Sequence, residues 1–381
     1  MAGKSALDRS GRMGKVKRLV VKVGSRIVAG GSNQLDRRVL RRLADDVVEL
    51  RRRGLDVALV SSGAVAAGMG RLGLKNRPTA ITELQAVAAV GQNLLVSTYE
   101  SLFKRHGVAV GQVLLTAEDM LDDRQRYLNL RNTFRQLFAY GVVPVINEND
   151  SVAVAELKRT FGENDALAAY VANLIRAELL VIFSDVEGLY RAYGRDGPEG
   201  EIIATVDGST DLDKLAIGRA TSHVGRGGMQ TKVRAARLLM ACGEMTVIAH
   251  GNRHRLLDIL EGKPLGTLFA PARKRLGSRK RWIGFASPCK GSLTVDSGAE
   301  RAITMQGRSL LPAGVVDHEG SFAPGDVVRV ENTKSTEVAR GLTRYASEEI
   351  GKIRGKSSPD VERLLGRPAL EVIHRDDMVL I

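Results

Sequence analysis

The stretch VVPVINENDSVAV, Val142 to Val154, decides how this chain is to be read. It begins as an apolar, largely β-branched run and then places four polar residues together: Asn147, Glu148, Asn149 and Asp150. A buried strand has no use for two amides and two carboxylates in a row. The spacing therefore predicts a strand over Val142–Ile146 that ends in a polar mouth. Similar ends recur on both sides of it. Gly24–Ser25 follows the strand-like run Arg18–Val23, Ser61–Gly63 follows Val57–Val60, and Ser184–Asp185 follows Leu179–Phe183. Val108–Leu115 and Met245–Ala249 are further strand-like runs. Helical patterns alternate with these runs, over Asp36–Arg53, Thr82–His106, Asp123–Tyr140, Asn164–Arg176 and Gly228–Ala241. The first of them has Asp36 as its N-cap and Gly54 at its stop. Short apolar strands alternating with helices predict an α/β fold, a mostly parallel sheet sandwiched by helices. In such sheets ligands bind beyond the carboxyl ends of the strands, which is where the polar clusters stand.

Composition narrows the function. The chain has 381 residues, enough for more than one core. Only 4% are aromatic, which argues against a base-stacking surface as the main business of the chain. A net charge of +14 favours anionic partners: nucleotides, acidic metabolites, nucleic acid or anionic lipid. Two cysteines without paired spacing exclude a disulfide framework and a zinc-ribbon pattern. No apolar run approaches the ~18 residues of a membrane span. The basic N-terminus lacks the apolar stretch of a secretory signal, so a cytoplasmic location and no membrane partner are expected.

The pattern changes near residue 272. Residues 1–15 read as a basic tail and 16–272 as the α/β domain. Residues 273–281 read as a basic linker and 282–381 as a small β-rich domain. Its β-type runs, Gly291–Val295, Ser309–Leu311, Asp326–Glu331 and Glu337–Thr343, are separated by Gly and Pro.

Individual motifs carry chemistry. Lys22 lies inside an apolar strand, one residue before its end, and a buried lysine is costly unless it is paired or faces an anion. VSSGAVAAG puts Ser61, Ser62 and Gly63 at a strand end that opens a helix, which suits a carboxylate or phosphate. In GRGGMQTK, Gly225 to Lys232, three glycines precede a helix with a lysine in its first turn. That is the makeup of a polyphosphate cradle. GMGRLG, Gly68 to Gly73, has the dinucleotide spacing, but seven residues separate it from its strand, so it does not read as a nicotinamide site.

Taken in order, VVKVGSR, VSSGAVAAG, VPVINENDSV, GENDALAA, IFSDVEGLY and GRGGMQTK resemble the successive motifs of the glutamate 5-kinases, an amino-acid-kinase family. The tail, from SLTVDSGAERAI to HRDDM, is similar to that family's PUA domain. The resemblance implies ATP-dependent phosphorylation of the side-chain carboxylate of L-glutamate, the opening step of proline synthesis, with Mg2+ accompanying ATP. Position by position, it implies that Lys22 and Lys232 stabilise the phosphoryl group and that Asp165 orients them. Ser62, Asp150 and Asn164 would hold glutamate. Lys22, Ser184, Asp185 and the loop Arg226, Gly227, Gly228, Met229, Gln230, Thr231 and Lys232 would hold ATP. No protein metal ligand is implied. Proline is expected as a feedback inhibitor, sensed by a mobile loop over Asp119–Asn132, and a homo-oligomer is expected. The family usually has Thr at the positions of Ser25 and Ser184, and often Thr where Arg226 stands.

Two other readings remain at this point. One is a sister kinase acting on acetylglutamate, aspartate, carbamate or UMP. Asp150 distinguishes it, because a free α-ammonium needs a carboxylate and an acylated nitrogen does not. The other is an RNA-binding protein using the PUA module and the positive charge.

Overall fold

The computed structural model describes residues 9–30, 34–116, 119–120, 124–152, 164–194, 197–207, 210, 228–271, 280, 283–284 and 289–380. The chain divides into two compact units, residues 1–120 with 125–274, and residues 121–124 with 275–381.

The first unit is built on an eight-stranded sheet. Its strands are β1 (Arg18–Val23), β2 (Asp56–Ser61), β3 (Val110–Leu115), β4 (Val143–Glu148), β5 (Leu179–Ser184), β8 (Thr205–Val206), β9 (Met245–His250) and β10 (Thr267–Phe269), in the order β3-β4-β2-β1-β5-β9-β10-β8. Every neighbouring pair is parallel except β9 and β10. A two-stranded hairpin, β6 (Tyr190–Gly194) and β7 (Gly197–Ile202), leaves the sheet after β5.

Side-chain alternation along β1 sorts its residues between the two faces. Leu19, Val21 and Val23 join a core with Leu40, Leu43 and Val47 of the helix Arg37–Arg52 and with Leu95 and Tyr99 of the helix Ile81–Lys104. Val20 and Lys22 therefore face the other way, where the helix Asn164–Ile175 packs on β1. Asp36 caps the helix Arg37–Arg52 by accepting from the amides of Arg38 and Val39, and Gly54 follows it at φ +85°.

Two expectations change in this unit. β4 runs on through Asn147 and Glu148, so only Asn149 and Asp150 stand beyond the strand. The reason is that Asn147 is buried with its amide satisfied by other side chains, which removes the cost that polar groups in a strand would otherwise carry. Within Asp119–Asn132, the residues from Arg124 onward belong to the helix Arg124–Ala139 rather than to a loop, and 121–123 lie outside the described residues. Of the GMGRLG glycines, Gly68 serves packing, together with Gly91 of the helix that crosses it. A β-carbon on Gly68 would lie 1.9 Å from the Val87 carbonyl oxygen, and one on Gly91 would lie 1.7 Å from that of Ala64. The helices Ala64–Leu72 and Ile81–Lys104 thus cross in backbone contact, which any side chain would prevent.

The second unit has a five-stranded sheet of β11 (Gly291–Val295), β12 (Val315–Gly320), β13 (Val327–Asn332), β14 (Glu337–Leu342) and β15 (Met378–Leu380), ordered β12-β11-β13-β14-β15. It is antiparallel except for the pair β11 and β13. It also carries helices over Ser297–Thr304, Ser347–Ile353 and Ser358–Leu365, and its own core around Leu293, Val330, Tyr345, Ile350 and Val361. Leu310 makes a single bridge to Ile373 rather than a strand over Ser309–Leu311. Among the described residues, no helix is long and apolar enough to cross a membrane.

Candidate active site

The parallel register sets the carboxyl ends of β1, β2 and β5 level. Lys22 stands beside Val60 and Ile182, and Val23 beside Ser61 and Phe183. The helix Asn164–Ile175 brings its first two residues to this edge. Asp165 is fully buried there, and Lys22 and Lys232 are nearly so. The Lys22 ammonium lies 2.6 Å from one Asp165 oxygen and the Lys232 ammonium 3.2 Å from the other. Thr231 donates to the same carboxylate at 2.9 Å.

Burial by itself would push the Asp165 carboxyl up. Lys22 and then Lys232, helped by hydrogen bonds from Lys22 and Thr231, outweigh it and hold the group down at about 2. Lys232 is pushed below the ordinary lysine value by burial first; Asp165 opposes that shift and Lys22 adds to it. Two ammonium groups share one carboxylate, so the cluster carries one positive charge in excess. A buried excess charge calls for an anion beside it. Gly24, which follows β1, lies against the cluster: a β-carbon there would stand 3.7 Å from the Lys22 ammonium and 3.4 Å from the Phe183 carbonyl oxygen.

A chain of amides runs alongside. Asn164 donates to the Ser62 hydroxyl at 2.7 Å and to the Asn147 carbonyl oxygen at 2.9 Å. Asn147 donates to Gln92 at 2.8 Å. Ser61 is held from behind by Tyr99, 2.9 Å away. Gly63 then opens the helix Ala64–Leu72 at φ +113°, and a β-carbon would strike Val28 at 2.8 Å, so only glycine suits the turn. Asp150 lies two residues past β4, in a turn closed by Val152 N–H donating to the Asn149 carbonyl.

At the end of β5, Ser184 donates to Asp185 at 3.1 Å. Arg26, in the short helix Ser25–Ala29, pairs with the other Asp185 oxygen. Burial would raise the Asp185 carboxyl, and Arg26 turns the net shift downward. Glu187 bonds Arg253 and His254, each at 2.6 Å, tying this loop to the one after β9. Gly228 caps the helix Met229–Cys242, whose first residues are Met229, Gln230, Thr231 and Lys232. Arg226 and Gly227 lie outside the described residues.

The sequence-derived residues thus form a lysine–aspartate–lysine cluster, a Ser62–Asn164 pair and the Ser184–Asp185 strand end. Gln92, Tyr99 and Arg26 were not selected from sequence, and Asn147 stood out only as part of the polar run at the end of its strand. Strand alternation carried a signal for Asn147, since Val143, Val145 and Asn147 share one face. Nothing local marked Gln92, whose partner is 55 positions away.

Comparison with known proteins identifies the family. The profile of the Amino acid kinase family matches residues 17–249, and that of the PUA domain matches residues 291–365. The chain is 46% identical to a glutamate 5-kinase of Citrifermentans bemidjiense, covering 96% of this chain and 98% of that protein. It is 47% identical to those of Nitrosococcus oceani, covering 96% and 97%, and of Pseudomonas putida strain W619, covering 96% and 98%. With both family profiles matched and with identity of 46–47% over nearly the whole of each relative, the chain belongs to the amino acid kinase family, in its glutamate 5-kinase branch with a C-terminal PUA domain.

Proposed function

We propose that the chain transfers the γ-phosphoryl group of Mg2+-bound ATP to the side-chain carboxylate of L-glutamate at the edge described above. The observation that carries this site assignment is the pair of buried lysines on opposite oxygens of Asp165. A carboxylate is already an ionised nucleophile, so the reaction needs no protein base. One carboxylate oxygen attacks the γ-phosphorus, the bond from that phosphorus to the β–γ bridging oxygen breaks, and ADP and glutamyl 5-phosphate result. The site has to bring two anions together and bear the charge on the transferring phosphoryl. Lys22 and Lys232 supply that charge, and Asp165 holds both in place. Because Asp165 engages one lysine on each oxygen, it is a positioning group rather than a metal ligand. Mg2+ would be held by the phosphates of the ATP it accompanies and would neutralise part of their charge.

Ser62 and Asn164 are assigned to the glutamate carboxylates and Asp150 to the α-ammonium. The strand end Ser184–Asp185 and the helix start Gly228–Lys232 are assigned to the nucleotide, where a positive helix end faces phosphate. Proline inhibition by overlap with the glutamate position, assembly of several copies and a cytoplasmic location belong to the same reading. The first two rest on the resemblance to the glutamate 5-kinases, and the third on the basic N-terminus that lacks an apolar stretch.

The test is product trapping. With ATP and Mg2+, hydroxylamine converts an acyl phosphate into a hydroxamate. Glutamate should yield hydroxamate and ADP in equal amounts. N-acetylglutamate, aspartate and UMP should give neither at comparable rates. Equal turnover of N-acetylglutamate would overturn the assignment of Asp150.

A further inference from the structure

At the opposite end of the sheet from Lys22, a cleft of about 280 Å³ opens between the helix Arg124–Ala139 and the C-terminal end of the helix Asn164–Ile175. Four arginines line it, Arg18, Arg131, Arg135 and Arg176, together with the apolar Phe134 and Leu174. Arg18 opens β1 and Lys22 stands four residues on, so roughly 13 Å of strand separates the two regions.

The arginines differ in what they already do. Arg18 is engaged: Asp56 accepts from it at 2.6 and 3.1 Å, and the Ile175 carbonyl accepts at 2.7 Å. Arg131 and Arg135 meet no carboxylate among the described residues. They stand one helical turn apart on the same face, a spacing at which like charges repel. Arg176 follows the helix Asn164–Ile175 at φ +56°, the left-handed position that glycine normally takes. Its backbone closes the helix, with Arg176 N–H donating to the Asn173 carbonyl and Ala177 N–H to that of Ala172. A glycine would do this without strain, so the side chain is what the position gains. The helix dipole accounts for cations beside the last turn of that helix. It does not account for Arg131 and Arg135 on the neighbouring helix.

We propose that this cleft is a second anion site that takes the phosphate group of a small phosphorylated molecule, separate from the phosphoryl-transfer edge. Guanidinium forks match phosphate oxygens two at a time. An anion between Arg131 and Arg135 removes their mutual repulsion.

The experiment is calorimetric titration of the full-length chain with the transfer site filled by glutamate and the Mg2+ complex of a non-hydrolysable ATP analogue. Inorganic phosphate and ribose 5-phosphate are the two probes. The expected result is one further phosphate-dependent site per chain, weakened about tenfold or more in Arg131→Ala/Arg135→Ala. Tighter binding of the ester than of inorganic phosphate identifies a phosphorylated metabolite as the ligand; equal binding identifies phosphate itself. If the double variant fails to fold, Arg135→Lys, which keeps the charge but loses the fork, should fold and bind both probes several-fold more weakly. No additional site in the wild type, or identical titrations of wild type and variants, overturns the proposal. So does arginine-dependent binding of an RNA oligonucleotide without binding of either small phosphate.

Discussion

At the scale of single residues, the lysine–aspartate–lysine cluster makes unequal predictions for its members. Deleting one lysine leaves a neutral buried pair, whereas neutralising Asp165 leaves two buried cations facing each other. Lys22→Ala and Lys232→Ala should each lower kcat on the order of 10²–10³-fold with a smaller effect on melting temperature. An unchanged kcat in either removes that lysine from the transfer step. Asp165→Asn should lower the melting temperature more than either lysine variant does. It should also change the acid limb of stability. The folded carboxyl sits at about 2, below its ordinary 3.8. Its contribution is therefore fully present above about 4 and is lost as pH falls toward 2. The wild type should lose stability steeply across that window and Asp165→Asn less steeply, as read by melting temperature against pH; parallel curves would contradict the assignment. Asp150 makes a separate prediction. Asp150→Ala should raise KM for glutamate far more than KM for ATP, and equal rises would place Asp150 outside the glutamate position.

At the scale of elements, the site depends on how closely two helices cross. The helix Ala64–Leu72 starts beside Ser62, and its placement is fixed by Gly68 and Gly91 meeting the backbone of the other helix. Gly91→Ala should cost about 1–3 kcal/mol or more, because the obstacle is a carbonyl oxygen rather than a movable side chain. Thermal or denaturant unfolding measures this, and a change under 0.5 kcal/mol (about the scatter of neutral surface substitutions) would mean that the crossing is looser. This is also where the sequence was partly illegible. Alternating apolar strands and helices carried the sheet and its functional edge, because that periodicity is local. Gly68 and Gly91 carry no local sign of a helix crossing, and their contact joins segments about twenty residues apart. Polar residues at Asn147 and Glu148 suggested that β4 had already ended, because local reading prices a buried amide without knowing its partners. Those partners, Asn164 and Gln92, arrive from distant helices. The short strands β8 and β10 escaped for a related reason: two or three residues define no period.

At the scale of the whole molecule, the two units each bury an apolar cluster of their own. The first is centred on β1, β5 and the helices Arg37–Arg52 and Ile81–Lys104, the second on Leu293, Val330, Tyr345 and Ile350. All described hydrogen bonds and ion pairs of the lysine–aspartate–lysine cluster and the amide chain lie within the first unit. A unit with a separate core and a complete set of reacting groups meets the physical requirements for folding and acting alone. We therefore expect a chain ending at Lys274 to fold cooperatively, with a far-ultraviolet circular dichroism spectrum richer in helix and sheet than a random coil. It should form glutamyl hydroxamate from glutamate, ATP, Mg2+ and hydroxylamine with kcat within about tenfold of the full chain, a difference of about 1.4 kcal/mol in barrier. The isolated second unit should fold without turning over ATP. A folded but inactive first unit would mean that a group from residues 275–381 completes the transfer site, and the assignment of every reacting group to the first unit would fail.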